Sequence, residues 1–296
     1  NSFGIISSAN SSLWSIAKNY FLPASLVLMT LSIDLKSILK LGDKALIMFL
    51  TGTVGIIIGG PLAMLIVGLV SPETVGGSGI DSVWRGLATL AGSWIGGGAN
   101  QTAMLELYQF NPENYTAMVT VDIVVANLWM ACLLYGAGKS DAIDRWLKAD
   151  PSAINQVKAS LDSIHGQEKQ ELNMGNLSTI FAIAFGTVGL CHLGGDVLSP
   201  IFKSMPATEG TILSSHFFWV VIISTTAGLG LSFTRARKLE GAGASTFGSL
   251  FIYLLVLIIG TKMDIFTAAE NPVLIIVGII WMLIHILLLV FVARII

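Results

Sequence analysis

Charge is scarce in this chain. Asp, Glu, Lys and Arg make up 11% of its 296 residues, against about a quarter in ordinary soluble domains. Hydrophobic residues reach 54%, more than a soluble core of this size can absorb, so the composition points to a polytopic membrane protein. Basic surplus is also missing. Sixteen Lys and Arg against eighteen Asp and Glu leave a net charge of −2, with no basic face for nucleic acid. Of the two cysteines, Cys132 and Cys191, each lies inside an apolar run without metal-ligand spacing, which favours packing roles over a disulfide. There is no nucleophile elbow, P-loop, Cys-x-x-Cys or His-Glu-x-x-His pattern, which argues against an enzyme. An initiator Met and a signal-peptide pattern are absent too, and "LLLVFVARII" stops at the edge of a hydrophobic segment. An excerpt of a longer protein is expected.

What the chain does have is apolar segments long enough to approach the roughly 20 residues of a bilayer span. The candidates are 20–33, 44–70, 115–136, 177–193, 216–233, 246–261 and 272–296. A further run from Trp84 to Phe110 is long enough to cross once, or to enter and return. The one long hydrophilic stretch, 139–176, reads as a linker with a surface helix. Cytoplasmic loops are enriched in Lys and Arg. Three loops qualify, through Lys36, Lys40 and Lys44, through Lys139, Arg145 and Lys148, and through Arg235, Arg237 and Lys238. If all three lie inside, 44–70 runs outward and 115–136 runs inward. The segment between them must then begin and end outside, as a re-entrant hairpin.

A shift of 230 positions aligns Asp34 in Ser-Ile-Asp-Leu with Asp264 in Lys-Met-Asp-Ile, each followed by a long apolar span. With the loop charges, this reads as an inverted-topology repeat, a common construction of secondary transporters. The expected division is a first repeat over 1–137, a cytoplasmic linker over 138–176 and a second repeat over 177–296. Asp34 and Asp264 sit at span ends, where capping or interfacial roles are expected.

The hairpin's centre is "AGSWIGGGANQTAM", residues 91–104. Glycine is about 1 kcal/mol poorer than alanine in a helix interior, so Gly96, Gly97 and Gly98 predict a break. A break at membrane depth frees N–H and C=O groups that protein, water or ligand must satisfy. N–H groups opening the next half-helix attract anions, and unwound carbonyls can hold a cation. Asn100, Gln101 and Thr102 add polar side chains at that turn. The competing reading is a small-residue packing face through Gly92 and Gly96. Asp122 and Asn127 lie inside "MVTVDIVVANLWMACLL". A carboxylate there is costly and usually faces a cavity, a partner or an ion. Asp122 is read as a coupling-ion or proton site, with a buried Asp bonded to Thr120 or a neighbouring hydroxyl as the alternative. Asn127 is either structural glue or a ligand. Glu106 either approaches the outer mouth or is a solvated end charge, and the second reading is favoured. "LCHLGGDVLSP" offers a His192/Asp196 pair, but helix termination at Gly194 and Gly195 is favoured. Ser224, Thr225 and Thr226 are expected to bond back to the backbone or to a neighbour, with a substrate role as the lesser alternative, and His285 to be a satisfied buried histidine.

"LPASLVLMTLSIDLKSILKLGDKALIMFLTGTVG", "AGSWIGGGANQTAMLE" and "VDIVVANLWM", in that order, resemble the bacterial membrane proteins grouped as DUF819, the YjcL-like family. The resemblance covers most of the chain. It implies a multi-pass bacterial inner-membrane protein, near inverted-repeat secondary transporters of the bile acid, arsenite and riboflavin type. Members are longer, with further amino-terminal spans and a second glycine-rich segment beyond residue 296. The resulting expectation is an all-α polytopic protein with inverted-topology repeats and a broken, re-entrant glycine-rich helix. It would be a secondary transporter of a small solute, an organic anion being one candidate, coupled to Na⁺ or H⁺ and needing no other cofactor. Its site residues would be Gly96, Gly97, Gly98, Asn100, Gln101, Thr102, Asp122 and Asn127. Expected partners are membrane lipid, the solute or ion, and a second copy in a homodimer. An ion channel or a membrane sensor without coupled transport is the alternative.

Overall fold

The computed structural model describes residues 12–35, 42–147, 172–261, 263 and 272–296. Along the chain, a short helical turn (Leu13–Ile16) and a π-helical turn (Ala17–Phe21) lead into α1 (Leu22–Leu31). Then follow α2 (Asp43–Gly68), α3 (Val83–Gly96), α4 (Gly98–Leu107), α5 (Tyr115–Ala137) and α6 (Ser140–Leu147). After 148–171 come α7 (Met174–Lys203), α8 (His216–Ser232), a 3₁₀ turn (Arg235–Ala242), α9 (Ala244–Gly260) and α10 (Val273–Ala293). Among the described residues there is no strand. The protein is an all-α polytopic membrane protein. α2, α5, α7 and α10 are each long and apolar enough to cross a bilayer, with mean hydropathies of 2.0, 2.0, 1.6 and 3.1.

Local chemistry sets several helix starts. Asn173 Oδ1 accepts from Asn176 N at 2.8 Å and so caps α7, while Ser215 Oγ accepts from Phe218 N and caps α8. The 3₁₀ turn, which carries Arg235, Arg237 and Lys238, is turned 93° from α8. Thr234 starts it by accepting from Ala236 N at 3.1 Å. Many large apolar side chains stay exposed, Leu257 at 70% and Leu287 at 68% among them. A water-facing surface would not carry them, whereas lipid tails accept them without penalty.

Packing divides the chain into two units, and one of the points at which the chain passes from one to the other lies between Gly97 and Gly98. One unit holds α1, α4, α7, α8 and α9; the other holds α2, α3, α5, α6 and α10. Each therefore draws helices from both of the sequential halves, 1–137 and 177–296, so the packing division differs from a division by repeat. Asp264, which the 230-position shift sets against Asp34, lies outside the described residues, as do Lys36, Lys40 and Lys148 of the basic loops.

In lipid there is little hydrophobic drive between helices, so close approach at small residues must hold them together. In the first unit α1 is wrapped by α7, α8 and α9. A Cβ on Gly228 would lie 2.0 Å from Thr30 Oγ1 and 2.6 Å from Val27 O, so α8 can approach α1 this closely only with glycine there. Phe21, Phe181, Phe185, Phe247 and Phe251 fill the remaining space as a cluster of rings. In the second unit α2 lies along α10, and Gly55, Gly59 and Gly60 receive His285 and Trp281. Trp281 Nε1 donates to Ile56 O at 2.8 Å.

Three expectations are corrected. α7 does not stop at Gly194–Gly195 but continues to Lys203. Those glycines make room for α8 instead: a Cβ on Gly195 would meet His216 Nε2 at 2.8 Å, and one on Gly194 would meet Ile223 Cδ1 at 2.5 Å. His285 is not satisfied at both ring nitrogens, because its buried Nδ1 has no hydrogen-bond partner where the ring crosses Gly55. Cys132 is exposed rather than packed, whereas Cys191 is buried; both are free thiols.

Candidate functional site

The run of three glycines breaks the helix at one residue. α3 ends at Gly96 and α4 begins at Gly98. Between them Gly97 takes φ 84° and ψ −174°, a conformation essentially reserved for glycine. Gly97 N still donates to Ser93 O at 2.7 Å, which closes the last turn of α3. At 14 and 10 residues the two helices are about 21 and 15 Å long, too short to cross the roughly 30 Å hydrocarbon core singly.

The two ends of this segment meet. Asn111 N donates to Ile80 O at 2.9 Å, and the Asn111 and Asn114 amides both donate to Asp81 Oδ1, at 2.7 and 2.9 Å. A Cβ on Gly86 would collide with Phe110 and Met118, which shows how tightly the start of α3 sits on the residues after α4. Residues 83–107 thus leave and rejoin one loop cluster, and Gly97 sits near the middle of the path.

An α-helix leaves its first N–H groups without partners inside the helix. With Gly97 N bonded to Ser93, those at the start of α4 belong to Gly98, Ala99 and Asn100. Asn100 is half-buried. Gln101 is 8% exposed and its buried Nε2 has no hydrogen-bond partner. Thr102 is buried, and its hydroxyl donates to Gly98 O at 3.0 Å within the same helix. These residues belong to the first unit.

Asp122 belongs to the second. It accepts from Ser93 Oγ and from Trp94 Nε1, both at 2.7 Å. Trp94 meets Trp281 edge-on at 4.8 Å, and Trp281 in turn holds Ile56 O. The carboxylate is therefore fixed to the last turn of α3 before the break, through a neighbouring hydroxyl and an indole. Thr120 bonds Thr116 O instead. Among the described residues Asp122 has no ion-pair partner. Asn127 stands apart: it is exposed and donates to Ile123 O of its own helix at 2.7 Å.

The comparison with protein families gives a match over residues 1–296 to the model described as "Protein of unknown function (DUF819)". The chain belongs to the DUF819 family. A curated relative is the "Uncharacterized membrane protein YjcL" of Bacillus subtilis (strain 168), 24% identical over 266 residues. That match covers 87% of this chain and 62% of YjcL, so the chain spans less than two thirds of its relative's length. No solved structure matches.

Other charged clusters in this DUF819 chain were misread or missed in the sequence. Glu106 is not a solvated end charge: its side chain is 12% exposed and pairs with Lys18, on the π-helical turn before α1. Lys18 also lies 5.2 Å from the centre of the Phe217 ring. The C-terminal end of α4 is thereby anchored, and spacing along the chain gives no hint of a partner 88 positions away. Asp196 pairs with His216 at 3.1 Å rather than with His192, whose ring stacks on His216 at 5.4 Å and whose Nε2 bonds Asn19 O. Asp34 pairs with Arg237 at 2.6 Å. Ser224 and Thr225 bond back to Val220 O and Val221 O. Among the described residues no His, Cys, Asp and Glu cluster could hold a metal.

Proposed function

We propose that this DUF819 protein is a secondary active transporter of a small solute in the bacterial inner membrane, and not an enzyme. The reading rests on the hairpin 83–107, whose ends are joined by Asn111, Asn114 and Asp81 and whose path is broken at Gly97. In a bilayer, irregular backbone is tolerated only where protein or a water-filled cavity satisfies it. Broken helices of this kind form solute and ion sites in secondary transporters. The joined ends support a segment that enters and leaves on the outer side, which agrees with the distribution of Lys and Arg in the loops. Asp122, a spanning carboxylate held by two neutral donors and no cation, is the coupling residue for H⁺ or Na⁺. The two sequential halves are inverted repeats, and the solute site is exposed to each side in turn.

The test is electrical. The full-length protein is reconstituted in proteoliposomes on a solid-supported membrane and challenged with small organic acids, amines and uncharged solutes, with and without a Na⁺ gradient and across pH. A saturable, gradient-dependent current from one solute class, lost in Asp122→Asn, is the expected result. Unsaturable conductance without solute exchange would favour a channel. Cysteine labelling adds a check on topology: substitutions at Arg85 and Asn111 should both react with an impermeant reagent added outside.

A further inference from the structure

We infer that the start of α4 is a binding site for a single carboxylate group, which makes a monocarboxylate, or the carboxylate end of a zwitterion, the solute of the transport reading on which this rests. The free N–H groups of Gly98, Ala99 and Asn100 are donors and sit at the positive end of the helix dipole, worth about half a charge. Helix side chains lean toward the N-terminus, so Gln101 in the first turn leans toward those amides. Its Nε2 is a second, independent indication of a ligand, because it is buried without a partner in a residue only 8% exposed.

The surroundings limit the charge of the ligand. α1 and α8, which pack against α4, and α9, which places Ile252 beside Gly98, contain no Lys, Arg, Asp or Glu. Lys18, on the turn before α1, is engaged by Glu106 at the far end of α4. Neutral donors and half a helix charge match one negative charge. They leave a phosphate dianion under-compensated in a medium where unpaired charge is expensive. A cation is disfavoured there by the helix-start N–H groups and the positive end of the dipole.

The test uses the full-length protein in detergent. Thermal unfolding is measured with acetate, L-lactate, benzoate and L-alanine, each beside its primary amide, and with inorganic phosphate, all at equal ionic strength. At least one acid is expected to raise the unfolding temperature by several degrees while its amide and phosphate do not. Gln101→Leu fills the same space without the amide and is expected to fold; it should weaken that acid's binding about tenfold, the loss of one charge-assisted hydrogen bond. Gln101→Glu is the second variant and should weaken it further by repulsion. The inference is overturned if no acid stabilises the protein, if amides or phosphate do so equally, or if both variants bind the acid like wild type. Failures of the two readings separate cleanly. An acid that binds but is never carried into proteoliposomes sinks transport and leaves the carboxylate site. Saturable currents from a cation or an uncharged solute, without acid binding, sink the carboxylate site and leave transport.

Discussion

Gly97 and Gly228 are both glycines in helix-rich, apolar sequence, yet they are required for opposite reasons. At Gly228 the backbone is ordinary helix, and what glycine supplies is space: a Cβ would strike Thr30 Oγ1 and Val27 O. At Gly97 an added Cβ would meet nothing within 4 Å, and what glycine supplies is the dihedral pair, φ 84° and ψ −174°. Gly189, inside α7, needs neither, for its backbone is helical and its surroundings are open. Glycine count in a membrane sequence therefore says little until space and conformation are separated. The first kind of glycine holds helices together; the second bends the path of the chain and exposes its polar groups.

The comparison can be broken by substitution. Gly228→Ala should have the largest effect, about 3 kcal/mol of destabilisation from overpacking against backbone, read as a lowered unfolding midpoint in detergent. Adding Thr30→Ala should restore only part of it, because Val27 O remains 2.6 Å away. Lys18→Met should follow at about 2 kcal/mol, less than the roughly 3–5 kcal/mol of a fully buried pair, since the lysine side chain is 30% exposed. The double variant Lys18→Met/Glu106→Leu should recover most of that loss, which shows that the stranded carboxylate is the cause. Gly97→Ala should lose about 1–2 kcal/mol to backbone strain but far more in transport. Gly189→Ala should be neutral or stabilising by about 0.5 kcal/mol and should keep full transport. A Gly97→Ala protein as stable as Gly189→Ala would show that the break tolerates a side chain, and the contrast would collapse.

The sequence makes the spans legible because bilayer thickness dictates the length of an apolar run: the candidates 44–70, 115–136 and 216–233 correspond to α2, α5 and α8 within a few residues. The helix break is legible for a similar reason, since three glycines are the weakest helix formers short of proline. Which of the three adopts the special conformation is not, because Gly96 and Gly98 continue their helices and only the geometry singles out Gly97. Gly194 and Gly195 mislead for the same reason: identical residues can end a helix or let a neighbour approach. Asp122 is recognisable as an anomaly in a span, but its partners, Ser93 and Trp94, come from another helix and no local pattern announces them. Long-range ion pairs such as Lys18–Glu106 are illegible altogether without the fold.

The central claim is that the Gly97 break is the working element of a transporter. It is tested most directly by comparing solute-induced currents of full-length wild type, Gly97→Ala and Gly189→Ala in proteoliposomes at equal amounts of folded protein. The account predicts that Gly189→Ala matches wild type while Gly97→Ala loses at least nine tenths of the current. A folded Gly97→Ala protein that carries solute at the wild-type rate would contradict it.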